Sequence, residues 1–407
     1  MMRVLLPLHG YVHWNGGLDL ARLLATALSR PTVSPKVELS FAIPKQSQAN
    51  RWLESGLRWM RGLRTGDPRL AAKSASVRMR AAFEIAGEGQ VIRCADNAGG
   101  ILQAASLAHA DIIFPTMLPL GPSDLRRVGY LFDFQHRYLP GLFPPRTCRN
   151  RDRRFAQIGS DGDGVVVNSR AVARDVEQWL GIAPDRILAM PFTPYAMPWS
   201  FDVDPTDAQR RYRIEGKYLM VCNHFWKHKD HATALRAFAK LRNSLANNDL
   251  LLILTGDPID HRDPQHYAWL TALAERLGIA PSTRFLGLIP KRDQLALIRG
   301  CVGLLQPTLF EGGPGGGAVY DAIGLGVPAI VSDIPVNAEI DCGDVRFFHT
   351  GDAMDLADKT SELLGSPSPR PARDTLLSRG ETNLKRLGNA IADFLADIVA
   401  RPRTSSL

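Results

Sequence analysis

The chain has 407 residues, of which 45% are hydrophobic and 22% are charged, a composition typical of a soluble globular protein. The length exceeds what one ordinary core accommodates, so we expect two domains. A formal net charge of +8 either points to an anionic partner or is simply the charge of a basic protein, and charge alone does not choose among nucleic acid, anionic lipid and phosphorylated ligands. The five cysteines are scattered and form no C-x-x-C pair. Their pattern argues against a disulfide framework and a structural zinc site, and it favours a reducing, cytoplasmic compartment.

The N-terminal half alternates between predicted strands and helices. Residues 4–8 are too few for a signal peptide and predict a buried strand, followed by a glycine-bearing loop and a helical pattern over residues 18–28. Ser169 provides an N-cap for a helix that runs to Leu180. Further strands are predicted at residues 37–43, 91–94, 112–115, 128–132, 165–167 and 187–190. This order is typical of a parallel α/β sheet.

Residues 46–86 have a different character, because many basic side chains are interleaved with tryptophan, leucine and methionine. The basic residues are Arg51, Arg58, Arg61, Arg64, Arg69, Lys73, Arg78 and Arg80. The pattern is similar to a basic amphipathic helix at a membrane surface. The alternative is a surface helix whose tryptophans pack on their own domain. No stretch of the chain has the apolar length of a transmembrane helix, so we expect any membrane contact to be peripheral, on an anionic inner face.

A proline-rich stretch at residues 191–205 predicts a hinge. We therefore expect an N-terminal domain at 1–195 and a C-terminal domain at 206–365. Continuous apolar strands are predicted at residues 218–222, 250–255, 283–288, 302–306 and 327–332. Such strands are typical of a parallel sheet covered on both faces, with ligands at the carboxyl ends of its strands. Residues 366–407 are predicted as a linker, a terminal helix with one apolar face, and a tail.

The most informative motif is a glycine-rich loop that follows a predicted strand and opens a helix. It runs from Glu311 to Asp321 and contains Gly313, Pro314, Gly315, Gly316 and Gly317. Glycines allow close approach of the backbone, and amides at a helix start attract anions, so the loop predicts a phosphate cradle. A flexible turn is the plain alternative. The loop also fits a dinucleotide fingerprint in outline, with Asp333 as the acid for a ribose.

Basic and acidic side chains follow other predicted strands. His224, His228, Lys229 and His231 follow the strand at 218–222, where a lysine can contact a diphosphate. The histidines straddle a loop–helix junction without a thiolate, so we expect no metal site. Asp133 and His136 follow an N-terminal strand, where they can orient or deprotonate a hydroxyl. The D-x-D pattern at residues 161–163 is better explained as a turn than as a metal site.

The order of motifs from residue 218 to residue 340 points to one family. After the loop of Lys229 come LLILTGDP, RFLGLIPKRDQLALIRGC, PTLFEGG and YDAIGLGVPAIVSDIPVNAEI. This stretch resembles the retaining glycosyltransferases of family 4 (glycosyl transferases group 1). DFQHRYLP and the pair Gly16 and Gly17 extend the resemblance into the N-terminal half. The resemblance implies an α/β protein of the GT-B fold, with two Rossmann-like domains whose parallel sheets face an interdomain cleft and a C-terminal helix that packs back on the body.

The sequence departs from the family's pattern at two positions. The family's E-x7-E motif has a glutamate at each end, whereas here the loop is two residues longer and Asp321 stands at the second position. His224 stands where the family carries an arginine, five residues before Lys229. A protein that binds a nucleotide sugar without turnover is therefore an open alternative.

The resemblance also implies roles for individual residues. The donor diphosphate is expected between Lys229 and the amides of the glycine loop, with His224 nearby. Glu311 is expected on sugar hydroxyls and Asp321 on the nucleotide ribose. The base is expected at the backbone of Leu288 and Ile289, and His136 with Asp133 is expected to face the acceptor. Gly16 and Gly17 belong to the expected donor site.

The resemblance implies a hexosyltransferase that retains configuration and uses no metal. Its donor is a nucleotide-diphosphate sugar, and no cofactor is tightly bound. The acceptor is a glycan or a lipid-linked glycan, in polysaccharide or glycolipid assembly. A dinucleotide-binding enzyme stays a second alternative because of the glycine loop. Nucleic-acid binding has only the charge in its favour, without a recognisable reader motif, so we expect no nucleic-acid partner.

Overall fold

The computed structural model describes residues 1–13, 15–45, 75–87, 89–244, 249–367 and 369–402. Residues 46–74, which make up most of the predicted membrane-surface helix, lie outside the described residues. The membrane prediction therefore stays a prediction. Within the described ranges, no helix has the length and apolar character needed to cross a bilayer.

The first half of the chain forms a seven-stranded sheet with the strand order β3-β2-β1-β4-β5-β6-β7. All of its strand pairs are parallel. The strands are β1 Met2–Pro7, β2 Val37–Pro44, β3 Gln90–Cys94, β4 Ile112–Thr116, β5 Arg126–Leu131, β6 Gly164–Val167 and β7 Ile187–Ala189. Each strand predicted for this half is present, with ends that shift by no more than two residues.

Helices lie between most of these strands in the chain, as is usual for parallel pairing, whereas residues 117–125 join β4 to β5 without a helix. They are α1 Asn15–Leu28, α2 Ala75–Ala86, α3 Ala98–Leu107, α4 Gln135–Tyr138, α5 Pro145–Asp161 and α6 Arg170–Leu180. The predicted N-cap of α6 is confirmed, since the Ser169 side chain accepts a hydrogen bond from the Val172 amide and Gly181 ends the helix with φ +62°. The 17-residue α5 was not predicted, because only Phe155, Ile158 and Gly159 of it are buried.

The second half forms a six-stranded sheet, also wholly parallel, with the order β10-β9-β8-β11-β12-β13. Its strands are β8 Tyr218–Cys222, β9 Leu251–Thr255, β10 Thr283–Gly287, β11 Gly303–Gln306, β12 Ala329–Ser332 and β13 Val345–Phe348. Its helices are α7 Pro205–Tyr212, α8 His231–Ser244, α9 His266–Arg276, α10 Lys291–Gly300, α11 Gly316–Gly324 and α12 Ala353–Gly365. The edge strand β13 was not predicted.

Helices cover both faces of the second sheet, which explains its continuous apolar strands. Successive residues of β11 illustrate this: Leu304 packs in the core on one face with Met220, whereas Leu305 packs in the core on the other face with Leu219. All four side chains are essentially inaccessible to solvent. Because every apolar residue of such a strand is buried, the carboxyl end of the strand is where polar side chains first reach a ligand.

By their packing, the residues fall into two compact units, Met1–Pro191 with Leu384–Leu407, and Phe192–Asn383. The predicted domain boundaries at 195, 206 and 365 stay predictions. The terminal helix α13, Arg373–Ala400, continues from one unit into the other. Its later part packs on the first unit, where Gly388 lies so close to α1 that a Cβ atom there would be 2.7 Å from the Ala27 carbonyl oxygen.

Candidate functional site

The clearest cluster of charged groups lies at the carboxyl edge of the second sheet. Lys229 follows β8 in a short 3₁₀ helix, and Glu311 follows β11. Because β8 and β11 are hydrogen-bonded neighbours in the sheet, the loops after them meet. The Lys229 Nζ donates to Glu311 Oε1, and each side chain is 12% exposed. The structure thus brings together two residues that the sequence predicted for one site.

Two buried amides support Glu311 from inside the sheet. Gln306 Nε2 donates to Glu311 Oε1 at 3.1 Å, and Asn223 Nδ2 donates to Gln306 Oε1 at 2.7 Å. Gln306 is inaccessible to solvent and Asn223 is 8% exposed. The orientation of the Glu311 carboxylate is therefore fixed by two donors to one oxygen, the ammonium of Lys229 and the side-chain amide of Gln306. Sequence reasoning missed Gln306 and Asn223, although both lie at strand ends beside predicted site residues.

The glycine loop forms a tight turn directly before α11. Gly315 and Gly316 have φ +67° and +64°, which favours glycine at both positions. A Cβ atom on Gly315 would lie 2.5 Å from Val319 Cβ, and one on Gly316 would lie 3.1 Å from Glu311 Oε1. At Gly317 a Cβ would meet no protein atom within 4 Å. The N-cap residue of α11 is Gly315, which has no side chain to cap the helix. The turn therefore presents a helix N-terminus beside Lys229 and Glu311, an arrangement that suits an anion.

His224 and His228 flank this edge of the sheet as neutral imidazoles. Burial lowers the pKa of His224, and burial lowers the pKa of His228 to about 2. His224 Nδ1 accepts a hydrogen bond from the Asp257 amide at 3.0 Å. Since Nδ1 is an acceptor, the ring proton of His224 lies on Nε2, which makes His224 a neutral hydrogen-bond donor. The cationic group of this loop that pairs with Glu311 is Lys229.

Asp321 lies in α11 and forms an ion pair with Lys291, the first residue of α10, with 2.6 Å between Nζ and Oδ2. Lys291 was not predicted as a site residue. It follows Leu288 and Ile289, the predicted base contacts, by two or three residues, and Ile289 is 8% exposed. Lys291 is therefore paired with the predicted ribose contact and lies near the predicted base contacts in sequence.

His136 and Asp133 of the first unit have separate side-chain partners. His136 Nε2 is 2.9 Å from Asp152 Oδ1, whereas Asp133 Oδ1 accepts from Arg151 Nη2 at 2.7 Å. The His136 side chain is inaccessible to solvent, burial lowers its pKa, and its Nδ1 has no hydrogen-bond partner among the described residues. His136 would reach an acceptor only after the side chains that cover it move. Sequence reasoning missed Asp152 because α5 was not predicted.

Other predicted residues lie elsewhere in the described ranges. Gly16 and Gly17 form part of the first turn of α1, after β1. Asp161 ends α5 and accepts from the Gly121 amide, and Asp163 pairs with Arg126 at 2.6 Å, so both carboxylates of the D-x-D pattern serve the fold. The parts of the chain that the structure describes contain no group of three or more histidine, cysteine or acidic residues that could hold a metal ion.

The dinucleotide alternative fits the second sheet poorly. Its glycine fingerprint belongs to the turn after the first strand of a Rossmann sheet, whereas here the glycine turn follows β11, the fourth strand of its sheet in chain order. Asp333, the expected ribose acid, accepts hydrogen bonds through Oδ1 from the Thr350 amide at 2.9 Å and from its hydroxyl at 2.7 Å. The geometry of the second sheet therefore does not match the dinucleotide fingerprint.

Residues 205–376 match the family model of the glycosyl transferases group 1. The matched range contains every site residue described above on the second sheet. A comparison with curated protein sequences gave no match.

Solved structures of similar fold cover nearly the whole chain. Sucrose-phosphate synthase from Thermosynechococcus elongatus is 14% identical over 98% of this chain and 97% of its own, with a TM-score of 0.63. A glycosyltransferase from Rickettsia africae is 13% identical over 98% and 97%, with a TM-score of 0.61. HepE of Anabaena, in complex with UDP and glucose, is 15% identical over 98% and 96%, with a TM-score of 0.60. These similarities show that the two parallel-sheet α/β domains have the GT-B fold.

Proposed function

We propose that the chain is a glycosyltransferase that moves a hexose-type sugar from a nucleotide-diphosphate sugar to an acceptor hydroxyl, with retention of configuration and without a divalent metal. One observation carries the proposal: the pair of Lys229 and Glu311 lies beside a glycine turn and a helix N-terminus, within the range that matches the glycosyl transferases group 1. A cation and backbone amides together suit the diphosphate of such a donor.

Lys229 and the amides at the start of α11 act on the leaving diphosphate. As the bond between sugar and phosphate breaks, negative charge builds on the diphosphate and the sugar acquires oxocarbenium character. An ammonium already held at the site stabilises that charge at little reorganisation cost, which is how preorganised donors lower a barrier. Lys229 is held there by Glu311. When the donor binds, the ammonium group of Lys229 either leaves Glu311 for the diphosphate or contacts both.

The acidic residues bind the hydroxyl groups of the donor. Glu311, supported by Gln306, accepts hydrogen bonds from the sugar, and Asp321, supported by Lys291, accepts them from the ribose. His224 adds a neutral donor to the phosphates through Nε2. The backbone of Leu288 and Ile289 contacts the base. HepE of Anabaena was solved with UDP and glucose, so UDP-glucose is the first donor to test.

The acceptor is a glycan or a lipid-linked glycan, and we place the reaction on the cytoplasmic side, with peripheral contact to an anionic membrane surface. The net charge of +8 and the basic composition of residues 46–86 support this placement. In the first unit, His136 and Asp133, with Asp152 and Arg151 as their partners, orient the acceptor once the side chains that cover His136 have moved.

The proposal is tested with a panel of nucleoside diphosphates and nucleotide sugars, each with Mg²⁺ and with a chelator, read out by thermal unfolding. A ligand at a hundred times its dissociation constant adds about 2.7 kcal/mol to the free energy of unfolding. We expect one nucleoside diphosphate to stabilise the protein equally with and without metal. Transfer to a glycan or glycolipid acceptor, with the anomeric configuration read by NMR, then tests turnover and retention.

Two outcomes of the panel contradict the proposal. Stabilisation by a nicotinamide dinucleotide alone would favour the dinucleotide alternative. Stabilisation by a nucleotide sugar that is neither transferred nor hydrolysed would favour a binding protein without turnover.

A further inference from the structure

Asn337 contacts the glycine turn from the interior of the protein. It lies in a short 3₁₀ helix, Asn337–Glu339, after β12 and is inaccessible to solvent. Its Oδ1 accepts from the Gly315 amide at 2.7 Å, and its Nδ2 donates to the Ser332 carbonyl at 2.7 Å. Because one contact needs an acceptor and the other a donor, the orientation of the side-chain amide is determined. One buried side chain thus joins the turn to the end of β12.

The same edge of the sheet holds the other end of the loop. The Ser332 hydroxyl donates to the Thr308 carbonyl at 2.6 Å, and the Thr308 hydroxyl donates to the Phe310 carbonyl at 2.8 Å. Ser332 and Thr308 are both inaccessible to solvent. The segment from residue 308 to residue 315, which carries Glu311, is therefore attached at both ends to buried polar groups around β12.

The turn needs such support because it has few side chains of its own. Two consecutive glycines with positive φ have a large conformational freedom to lose, and the N-cap residue Gly315 has no side chain of its own to cap the helix that follows. Asn337 supplies the missing constraint from outside the turn. When a binding site is already ordered, its ligand does not bear the entropic cost of ordering it.

We propose that Asn337 is a positioning residue that holds the glycine turn in the shape that presents the amides of Gly316 and Gly317 to the donor diphosphate. This inference rests on the proposed function. Asn337 is itself inaccessible to solvent, so it acts on the donor through the turn and not by direct contact. We therefore expect it to matter for the diphosphate that the turn binds, and we expect a nucleoside, which lacks phosphates, to bind independently of it.

The test compares Asn337→Ala with the wild-type chain for two ligands, UDP and uridine, by ligand-observed NMR below the unfolding range of both proteins. GDP with guanosine, or ADP with adenosine, replaces this pair where the wild type prefers that base. We expect the affinity for the diphosphate to fall by a factor of about five or more, and the affinity for the nucleoside to change by less than about twofold. Thr360→Val is the matched control, because Thr360 is also buried and donates to the Leu356 carbonyl at 2.6 Å, but lies in α12.

Asn337→Asp gives a second test that does not depend on truncation. An ionised carboxylate can accept from Gly315 but cannot donate to Ser332, whereas a protonated carboxyl group can do both. Burial raises the pKa of a carboxyl group. We therefore expect the diphosphate affinity of this variant, relative to wild type, to recover as the pH falls from about 8 to about 6.

The outcomes separate this inference from the function on which it rests. If the wild type binds no nucleoside diphosphate, the proposed function fails and the inference fails with it. If the wild type binds UDP and Asn337→Ala binds it equally well, the inference is wrong and the function stands. Equal losses for UDP and uridine, or the same loss in Thr360→Val, would show a general structural role and overturn the positioning role. If Asn337→Ala does not fold, the pH series of Asn337→Asp decides.

Discussion

Acidification should destabilise the second unit through histidines that are buried without charge. Burial lowers the pKa of His228 to about 2 and that of His231 to about 3, whereas an unfolded histidine titrates near 6.5. Below pH 6.5 the unfolded chain therefore binds protons that the native state cannot accept. The stabilising contribution is fully present above pH 6.5 and is lost progressively as the pH falls below it.

The size of the effect follows from linkage. Each buried histidine removes about 1.4 kcal/mol of unfolding free energy per pH unit below 6.5. Lowering the pH from about 7.5 to about 5.5 should thus cost about 2.7 kcal/mol for His228 and His231 together. For a transition of about 150–250 residues this corresponds to a fall in Tm of roughly 5–10 °C.

A substitution isolates the contribution of one histidine, His231, to the loss of unfolding free energy on acidification. His231 is inaccessible to solvent, its ring stacks on Phe225 with centroids 4.6 Å apart, and neither ring nitrogen has a hydrogen bond of normal geometry. His231→Leu should therefore be tolerated at pH 7.5. Between pH 7.5 and 5.5, it should lose about 1.4 kcal/mol less than the wild type in denaturant titrations.

His349→Leu is the control with the opposite sign. A hydrogen bond with Asp355 raises the pKa of His349, which is exposed. The stabilising contribution of His349 is present below pH 6.5 and is lost as the pH rises through its folded pKa. Removing His349 should therefore not reduce the loss of unfolding free energy on acidification. If His231→Leu loses as much unfolding free energy as the wild type between pH 7.5 and 5.5, buried His231 is not a source of the acid sensitivity.

Two substitutions test the site directly. Lys229→Ala should remove about 2–4 kcal/mol of transition-state stabilisation, measured as a fall in kcat/KM, because a preorganised charge at the diphosphate is lost; turnover within a few-fold of wild type would contradict this role. Gly316→Ala should lower the unfolding free energy by about 1–2 kcal/mol, since Gly316 has φ +64°. Gly317→Ala, where a Cβ meets no atom within 4 Å, should leave stability unchanged, and equal losses in both variants would argue against backbone strain.

The second sheet was largely predictable because its strands are covered on both faces. Strand β8 occupies the predicted residues 218–222, since all five of its residues are buried and form one apolar run. The same reasoning failed for β13, where only Val345 and Phe348 are buried and the edge position allows Arg346 between them. A four-residue edge strand does not produce the continuous run on which the prediction depends.

Side-chain partners were far less predictable than strands. The helix α5 carries Asp152, the partner of His136, on a strongly polar sequence with three buried residues. A helix whose apolar stripe is that narrow gives a weak periodic signal. Without α5, His136 was predicted to face the acceptor together with Asp133, and no side-chain partner was predicted for either. The structure pairs Asp133 with Arg151.

One network of hydrogen bonds shows why side-chain partners are hard to predict from sequence and how they can be tested. It joins Asn223, Gln306, Glu311 and Lys229. Gln306 and Lys229 donate to the same oxygen of Glu311 from positions 5 and 82 residues away along the chain. Only the adjacency of β8 and β11 brings them together. Because they share one acceptor, Lys229→Met and Gln306→Met should not act additively on donor affinity, and their double-mutant cycle should show a coupling of about 0.5 kcal/mol or more. Additive effects would mean that Gln306 supports the sheet and leaves the position of Glu311 unchanged.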